Sequence, residues 1–206
     1  MSEQIELYGA ETGNSLRAAI ALEEAGIAYV ARKLSLKNAE HKDAAYLLLN
    51  PAGQVPTLVD HSCTPPQIIC QSNAIIQYAD AKAPGHLAPA CGGAERTAVY
   101  ERYFYFVTDV IAPSHAAFFL RGKGFDDAAA QLERRVLEQI AYSERFLTGH
   151  FMVANSFSMA DISAFTLVLA MREHLNWGDL PVLLRWFDAI VSRPAVQRGL
   201  AAFADK

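Results

Sequence analysis

Short apolar and β-branched segments alternate with helix-patterned segments in the first third of the chain. Four of them have the length and composition of β-strands, and the segments between them carry helical patterning. The pattern therefore predicts strand, helix, strand, helix, strand, strand and helix, in that order. The predicted strands cover residues 4–8, 27–34, 56–60 and 67–70.

After this first third, the strand signals disappear. Residues 82–93 are rich in proline and glycine and lack a helical period, which is typical of a linker. Helical segments follow at about residues 95–120 and 126–147. We therefore expect the α+β fold class, with a mixed N-terminal domain and an all-helical C-terminal domain. The predicted division is a domain at 1–82, a linker at 83–94 and a second domain at 95–206.

A strong helix start lies in the second half of the chain. Ser158 and Asp161 have the spacing of a capping box ahead of the apolar run Ile162–Met171, with aspartate in place of the usual glutamate or glutamine. Pro181 and Pro194 similarly open two further predicted helices. These signals indicate folding elements and not catalytic groups.

Composition and charge exclude several functions. The formal net charge of the 206 residues is -4 and no dense Lys/Arg run is present, which argues against a nucleic-acid partner. The N-terminus lacks a signal-peptide pattern and no apolar run approaches the roughly 20 residues that span a bilayer, so we expect a cytoplasmic protein without membrane contact. Cys63, Cys70 and Cys91 form no C-x-x-C pair, and the six histidines have no metal-ligand spacing. We expect free thiols and no metal site.

The segment from Asn50 to Leu58, with sequence NPAGQVPTL, has the features of a ligand-binding strand start. The bond before Pro56 is of the X-Pro type, for which the trans form is favoured by only ~0.5 to 1 kcal/mol, so a fold can fix it in the cis form. The N–H and C=O groups of Val55 would then face outward and pair with a ligand backbone as an added strand does. The alternative is an ordinary proline at the start of a strand.

Gln71 and Ser72 stand at the start of the last helix of the first third. Ser72 has the position of an N-cap, and the free N–H groups behind it could hold a carboxylate at the positive end of the helix dipole. Gln71 could bind the amino acid end of the same ligand. The alternative is that Ser72 only caps its own helix.

The loop from the first strand into the first helix carries Thr12, Asn14 and Ser15. Helix N-termini and hydrogen-bond donors lower the pKa of a thiol from about 8.5 toward ~3.5 to 7.5, so a thiol at this position would ionise readily. Because the loop contains no cysteine, the sulfur would come from the ligand. The alternative is simple capping by Asn14 or Ser15. His41 and Lys42 could supply positive charge for a second carboxylate, or could be a solvated surface pair.

In their order along the chain, these elements resemble the glutathione transferase family. The resemblance covers essentially the whole chain: the strand and helix order, Asn-Pro-x-Gly-x-Val-Pro-x-Leu at 50–58, Gln-Ser-x-Ala-Ile at 71–75, the linker, and Ser-x-x-Asp at 158–161. It implies a thioredoxin-like N-terminal domain that holds glutathione, an all-helical domain that lines a hydrophobic second-substrate pocket, and a homodimer.

The resemblance also implies roles for individual residues. By position, Val55 resembles the residue that hydrogen-bonds the cysteinyl backbone of glutathione, and Pro56 resembles the cis-proline. Gln71 and Ser72 match the pair that binds the γ-glutamyl end. The residues that look like those used by some classes around the glycyl end are Gln54, His41 and Lys42, with Gln54 preferred because it lies inside the motif.

The thiol contact departs from the common family pattern. Asn14 stands where many relatives have a catalytic serine or cysteine. Residues 12–17 are instead similar to the Thr-x-Asn-x-x-Lys pattern of the bacterial nu-like class, which is associated with disulfide reduction as well as conjugation. Thr12 and Asn14 are the principal candidates for thiolate contacts, Ser15 is the reserve candidate, and Tyr8 ranks below them because it belongs to the strand end.

These observations favour an enzyme that activates glutathione as a thiolate nucleophile. The second substrate is expected to be a hydrophobic electrophile, a disulfide or a peroxide. A binding or regulatory protein with little turnover is the alternative, since Asn14 is unusual and Gln71 stands where an acidic residue is frequent. A third interpretation, disulfide exchange by the protein's own cysteines, is disfavoured by the missing C-x-x-C.

Overall fold

The computed structural model describes residues 4–205, which divide into two compact units. The first unit contains the chain up to Leu87 and the C-terminal segment from Arg193, and the second contains Ala88–Ser192. This division differs from the sequence expectation, which assigned the last segment to the helical domain. The difference arises at the final helix, whose apolar face is buried against the first helix of the chain.

The first unit is built on a four-stranded mixed sheet. The strands are β1 (Ile5–Gly9), β2 (Val30–Lys33), β3 (Thr57–Asp60) and β4 (Gln67–Ile69), in the order β2-β1-β3-β4. β1 pairs parallel with β2 and antiparallel with β3, and β3 pairs antiparallel with β4. The order of elements and the thioredoxin-like character of this unit agree with the sequence prediction.

Helix α1 (Gly13–Glu24) follows the first strand and is held at both ends by local chemistry. Thr12 has an extended backbone and its hydroxyl oxygen accepts a hydrogen bond from the Ser15 N–H, so Thr12 is the N-cap. Gly26, with φ of +67°, follows the C-cap. The middle of the helix, Ala18–Leu22, has no exposed surface and forms part of the core.

Two further helices complete the N-terminal part of this unit. A short 3₁₀ segment, Glu40–Lys42, leads into α2 (Ala44–Leu49), and α3 (Ser72–Lys82) follows β4. β3 and α3 are tied together by the buried carboxylate of Asp60, which accepts hydrogen bonds from the Tyr78 hydroxyl and the Ser62 N–H and pairs with Lys82. Burial alone would raise the pKa of Asp60, but these donors outweigh burial and lower it.

The C-terminal segment returns to the first unit through α9 (Pro194–Ala201). Val196 and Phe203 have no exposed surface. Arg193 forms a two-pronged ion pair with Glu24 at 2.6 and 2.7 Å, on the end of α1. Burial and this charge pairing explain why the segment packs with the first unit.

In the part that the structure describes, the regular elements of the second unit are all helices. Its elements are α4 (Ala94–Tyr105), a π-helical segment (Phe106–Ile111), α5 (Ala112–Arg121), α6 (Asp126–Tyr142), α7 (Met159–Met171) and α8 (Pro181–Val191), with short 3₁₀ turns between them. The predicted helix at 95–120 is therefore continuous but contains a π-helical turn.

The capping box predicted at the start of α7 is present. The Asp161 carboxylate accepts hydrogen bonds from the Ser158 N–H and hydroxyl, from the Met152 N–H and from the Trp186 indole, each at 2.9 or 3.0 Å. The side chain is fully buried. It therefore joins the start of α7 to the loop before it and to α8.

Between residues 4 and 205, none of the helices combines the length and the apolar character needed to cross a membrane. The same described residues contain no group of three or more His, Cys, Asp or Glu side chains placed to hold a metal ion.

Candidate functional site

The start of β3 lies beside the end of β1. The register pairs Tyr8 with Thr57, so Pro56 and Val55 continue alongside the residues that lead into α1. The Val55–Pro56 peptide bond is cis. Val55 is half-buried, and within residues 4–205 neither its N–H nor its C=O has a protein hydrogen-bond partner. These two groups are available to an extended ligand backbone.

A buried polar network supports the loop that precedes Val55. The Asn50 amide donates to the Gln54 carbonyl at 2.8 Å and to the Thr57 hydroxyl at 3.2 Å, and its oxygen accepts from the Ala52 N–H. The Tyr46 hydroxyl also donates to the Gln54 carbonyl. The sequence analysis did not identify Tyr46 and Thr57 as members of this network, although a buried asparagine before proline is a signal for such a turn.

Lys42 is held by the same loop. Its ammonium group donates to the carbonyls of Gly53 at 2.8 Å and Ala52 at 3.3 Å. The His41 ring has a buried Nδ1 without a partner in the part of the chain that the structure describes. The structure thus brings the Lys42 ammonium group and the backbone of His41 to the loop that carries the exposed Gln54.

The start of α1 is arranged around Ser15. Its hydroxyl oxygen accepts from the Ala10 N–H at 3.3 Å and from the Thr12 hydroxyl at 3.1 Å, and the side chain is completely buried. The alternative interpretation, in which Asn14 or Ser15 caps the helix, is wrong, because Thr12 is the cap. Thr12 and Asn14 are half-buried and face the surface more than Ser15 does.

Tyr8 is occupied elsewhere. Its hydroxyl donates to a Glu6 carboxylate oxygen at 3.1 Å on the same strand. Burial, and then the charge of Glu6, raise the pKa of Tyr8 above its usual value. The phenol therefore stays protonated and directed at Glu6, which agrees with its low rank as a thiol contact.

Arg17 connects the starts of α1 and α3, a contact that the sequence analysis missed. Its guanidinium donates to the Asn14 amide oxygen at 2.8 Å and to the Ser72 hydroxyl oxygen at 3.2 Å. Only 2% of Arg17 is exposed. The partners are 55 residues apart, so no local pattern indicated this bridge.

Ser72 is the first residue of α3, and the prediction that it is the N-cap is wrong. The capping position belongs to Gln71, which has an extended backbone and an exposed side chain that makes no capping hydrogen bond. The early N–H groups of α3 still lack helical partners, as at any helix start, and they point toward the region of Ser72. The positive end of this helix can therefore attract a carboxylate.

A cavity of about 580 Å³ lies next to Thr12. Its walls come from the loop after β1 and from the residues that follow β2, including Ser35 and Lys37. Charged and polar side chains form much of the lining. The candidate site residues thus lie on loops and helix starts of the first unit, as in a site that binds a polar, peptide-like molecule.

Comparisons with known proteins agree with this arrangement. The family model for the glutathione S-transferase N-terminal domain matches residues 3–81. Glutathione S-transferase 1 of Zea mays is 29% identical over 210 residues, covering 94% of this chain and 94% of the relative. The disulfide-bond oxidoreductase YfcG of Escherichia coli is 27% identical over 209 residues, covering 95% of this chain and 94% of the relative.

A solved structure gives the same result for the whole fold. The glutathione transferase from Burkholderia graminis, which was crystallised with two glutathione molecules per subunit, superimposes with a TM-score of 0.84 at 25% identity. The match covers 99% of this chain and 90% of that protein. The N-terminal family match, the full-length relatives and the shared fold agree: residues 3–81 match the glutathione S-transferase N-terminal domain, and the chain is similar to glutathione transferases over nearly its whole length.

Proposed function

We propose that the first unit binds glutathione and presents its thiolate to a second substrate. The observation that carries this proposal is the pair of unpartnered Val55 backbone groups, which lie next to the cis-Pro56 bond and near the loop that starts α1. An extended tripeptide can pair with Val55 through its own backbone while its ends reach polar groups on either side. The enzyme then uses the thiolate for conjugation or for reduction of a disulfide or peroxide.

Each end of glutathione has matching groups in this unit. The γ-glutamyl carboxylate suits the start of α3, where Gln71 is exposed and the helix dipole is positive. The glycyl carboxylate suits the loop at Gln54, which holds the Lys42 ammonium group and lies near the backbone of His41. These assignments are supported by the positions of the groups and by the family resemblance.

We assign the thiolate contact to Thr12 and Asn14. Both lie at the N-terminus of α1, where the helix dipole and hydrogen-bond donors favour the charged form of a thiol. Ser15 is the weaker candidate because its hydroxyl is buried inside the turn. Catalysis consists mainly of a lowered thiol pKa and of positioning, and the protein forms no covalent bond with the substrate.

The test combines binding with ionisation. Calorimetry is expected to show glutathione uptake, and the ultraviolet absorbance of the thiolate is expected to appear at neutral pH with glutathione but not with its S-methyl derivative. Replacement of Thr12 and Asn14 together by alanine should move the pH dependence of thiolate formation to higher pH with a modest loss of affinity. An unchanged pH profile would contradict the assigned role, and uptake without thiolate absorbance would favour a binding protein with little turnover.

Turnover assays distinguish conjugation from reduction. The same preparation is given glutathione with an aromatic halide, a small mixed disulfide or a hydroperoxide. The resemblance of residues 12–17 to the nu-like pattern, and the similarity to a relative named as a disulfide-bond oxidoreductase, support including the disulfide. We further propose a cytoplasmic homodimer, on the basis of the family, which sedimentation analysis of the purified protein can test.

A further inference from the structure

We propose that Arg17 is a positioning residue that couples the thiol contact at Asn14 to the γ-glutamyl contact at Ser72. The proposal rests on the proposed function, because it concerns how two parts of the glutathione site act on one ligand. The guanidinium donates a hydrogen bond to each of these residues, at 2.8 Å to Asn14 and 3.2 Å to Ser72. It therefore orients both side chains at once.

The hydrogen bond to Asn14 fixes which end of the amide is free. A guanidinium has only donors, so the atom that faces it must be the amide oxygen. The NH₂ group then lies on the other side of the amide and is available as a donor. A thiolate is an acceptor, so this is the orientation in which Asn14 stabilises the charged sulfur and not the neutral thiol.

The hydrogen bond to Ser72 likewise leaves a donor free, here at the γ-glutamyl contact. Because the hydroxyl oxygen accepts from Arg17, the hydroxyl hydrogen is left to donate in another direction. A carboxylate of the γ-glutamyl end is a suitable acceptor. Arg17 thus leaves a free donor on Asn14 and another on Ser72, which are 58 residues apart in the sequence. The two donors can bind two negatively charged groups of one ligand.

The charge of Arg17 acts in the same direction as its hydrogen bonds. A guanidinium stays protonated at every pH at which proteins fold. Since 98% of Arg17 is buried, water screens its charge less than that of a surface cation. A permanent positive charge within hydrogen-bond distance of Asn14 and Ser72 favours the ionised form of groups that bind to them.

Several other charged groups near the site have partners of their own. Lys33 pairs with Glu11 at 2.9 Å and with Asp205 at 2.7 Å, and Lys42 donates to loop carbonyls. Glu40 accepts from the Ser35 N–H. The titratable side chains that line the cavity beside Thr12 are Glu11, Lys33, Lys37, Glu40 and Asp205, and those on α3, which packs against α1, are Tyr78, Asp80 and Lys82. Lys33 and Lys42 bind these other partners and not Asn14 or Ser72.

Two substitutions separate the charge of Arg17 from its geometry. Arg17→Met removes the charge and both hydrogen bonds, and Arg17→Lys keeps the charge but replaces the planar fork by a single ammonium group. We expect Arg17→Met to move the acid limb of the pH profile of kcat/KM to higher pH, to lower kcat/KM at neutral pH roughly tenfold, and to raise KM for glutathione. Compared with Arg17→Met, Arg17→Lys should bring the pH profile part of the way back to that of the unmodified protein. It should bring the KM for glutathione back by less.

Leu22→Ala is the matched control. Leu22 lies on the same helix with no exposed surface, so its truncation destabilises α1 without touching the site. We expect a lower melting temperature and an unchanged pH profile. If Leu22→Ala moves the pH profile as Arg17→Met does, Arg17 has only a structural role and the proposal fails.

A double-mutant cycle covers the case in which Arg17→Met does not fold. Asn14→Ala and Ser72→Ala are measured singly and together, with thiolate absorbance and glutathione affinity as readouts. Coupling through Arg17 predicts that the double variant loses less than the product of the two single losses. Independent effects would overturn the coupling. If the unmodified protein binds no glutathione or forms no thiolate, the proposed function itself fails, which distinguishes the two outcomes.

Discussion

At the residue scale, Gly53 shows most directly how one position shapes the site. Its φ is +57°, and a Cβ at this position would lie 2.7 Å from Lys42 Nζ and 2.9 Å from the His41 carbonyl oxygen. We expect Gly53→Ala to cost about 2 to 4 kcal/mol in the free energy of unfolding, because backbone strain adds to steric overlap. It should also weaken glutathione binding several-fold, because Lys42 must leave the loop that carries Gln54. Chemical denaturation and calorimetry measure the two effects.

Gly26→Ala is the control for Gly53→Ala. Gly26 has a similar φ of +67°, but no atom lies within 4 Å of the Cβ that alanine would add. The substitution therefore tests backbone strain alone, at about 1 kcal/mol, and should leave glutathione affinity unchanged. Equal losses of glutathione affinity in the two variants would show that the contact of Gly53 with Lys42 is not the cause of the weaker binding.

Individual residues also show what the sequence could and could not predict. The motif from Asn50 to Leu58 was identifiable because its turn and proline signals are local, and the peptide bond before Pro56 is indeed cis. The partner of Ser72 was not identifiable. Its hydroxyl bonds to Arg17 on another helix, and such a contact depends on how α1 and α3 pack. The expectation that Ser72 is an N-cap was wrong for a different reason: the capping position lies one residue earlier, at Gln71, and short patterns define a helix end only to within a residue or two.

At the element scale, the start of α7 depends on one buried carboxylate. Burial raises the pKa of Asp161 to about 6 from 3.8, while the hydrogen bonds from Met152, Trp186 and Ser158 act in the opposite direction. Because the folded pKa is the higher one, this group contributes stability that is fully present below about pH 4 and is lost as the pH rises through about 6. Protonation of Asp161 therefore favours the folded state.

Asp161→Asn removes this titration and leaves two donors facing an amide NH₂ group. We expect the variant to be less stable by about 2 to 4 kcal/mol near neutral pH, because buried donors lose their acceptor. The difference in the free energy of unfolding between the variant and the unmodified protein should increase by about 1 kcal/mol when the pH is lowered from about 7.5 to about 5. Only the unmodified protein gains stability from protonation of residue 161. Urea denaturation at the two pH values measures this.

Asp126→Asn is the control for the titration of Asp161. Asp126 is also an aspartate in the first turn of a helix, but 72% of its side chain is exposed. It should change stability little at either pH. A gap between Asp161→Asn and the unmodified protein that stays constant with pH would contradict the assigned titration.

The elements that the sequence predicted best are those with local signals. The strands, the capping box and the helix starts at prolines follow from short patterns, and their observed bounds differ from the expected ones by a few residues. The association of α9 with α1 was missed. The short pattern after Pro194 predicts a helix but does not say which helix it packs against, and in the structure its buried side chains and the Arg193–Glu24 ion pair hold it on α1.

At the scale of the whole molecule, the proposal is that the reactive sulfur comes from the ligand and not from the chain. Cys63 and Cys91 are exposed, and the half-buried Cys70 donates to the Leu49 carbonyl at 3.5 Å. This hydrogen bond of Cys70 is not made with the start of α1, where the proposed thiolate site lies. The chain's own cysteines are therefore dispensable for glutathione chemistry on this account.

Replacement of all three cysteines by serine tests this directly. Serine keeps a donor for the Leu49 carbonyl at position 70, so we expect the fold to persist and kcat/KM with glutathione to stay within about twofold of the unmodified value. The Thr12 and Asn14 double variant, assayed beside it, should lose far more, because it changes the thiolate contact itself. Loss of disulfide reduction in the cysteine-free protein, with glutathione binding intact, would instead assign the chemistry to a protein thiol and reject a mechanism in which glutathione is the nucleophile.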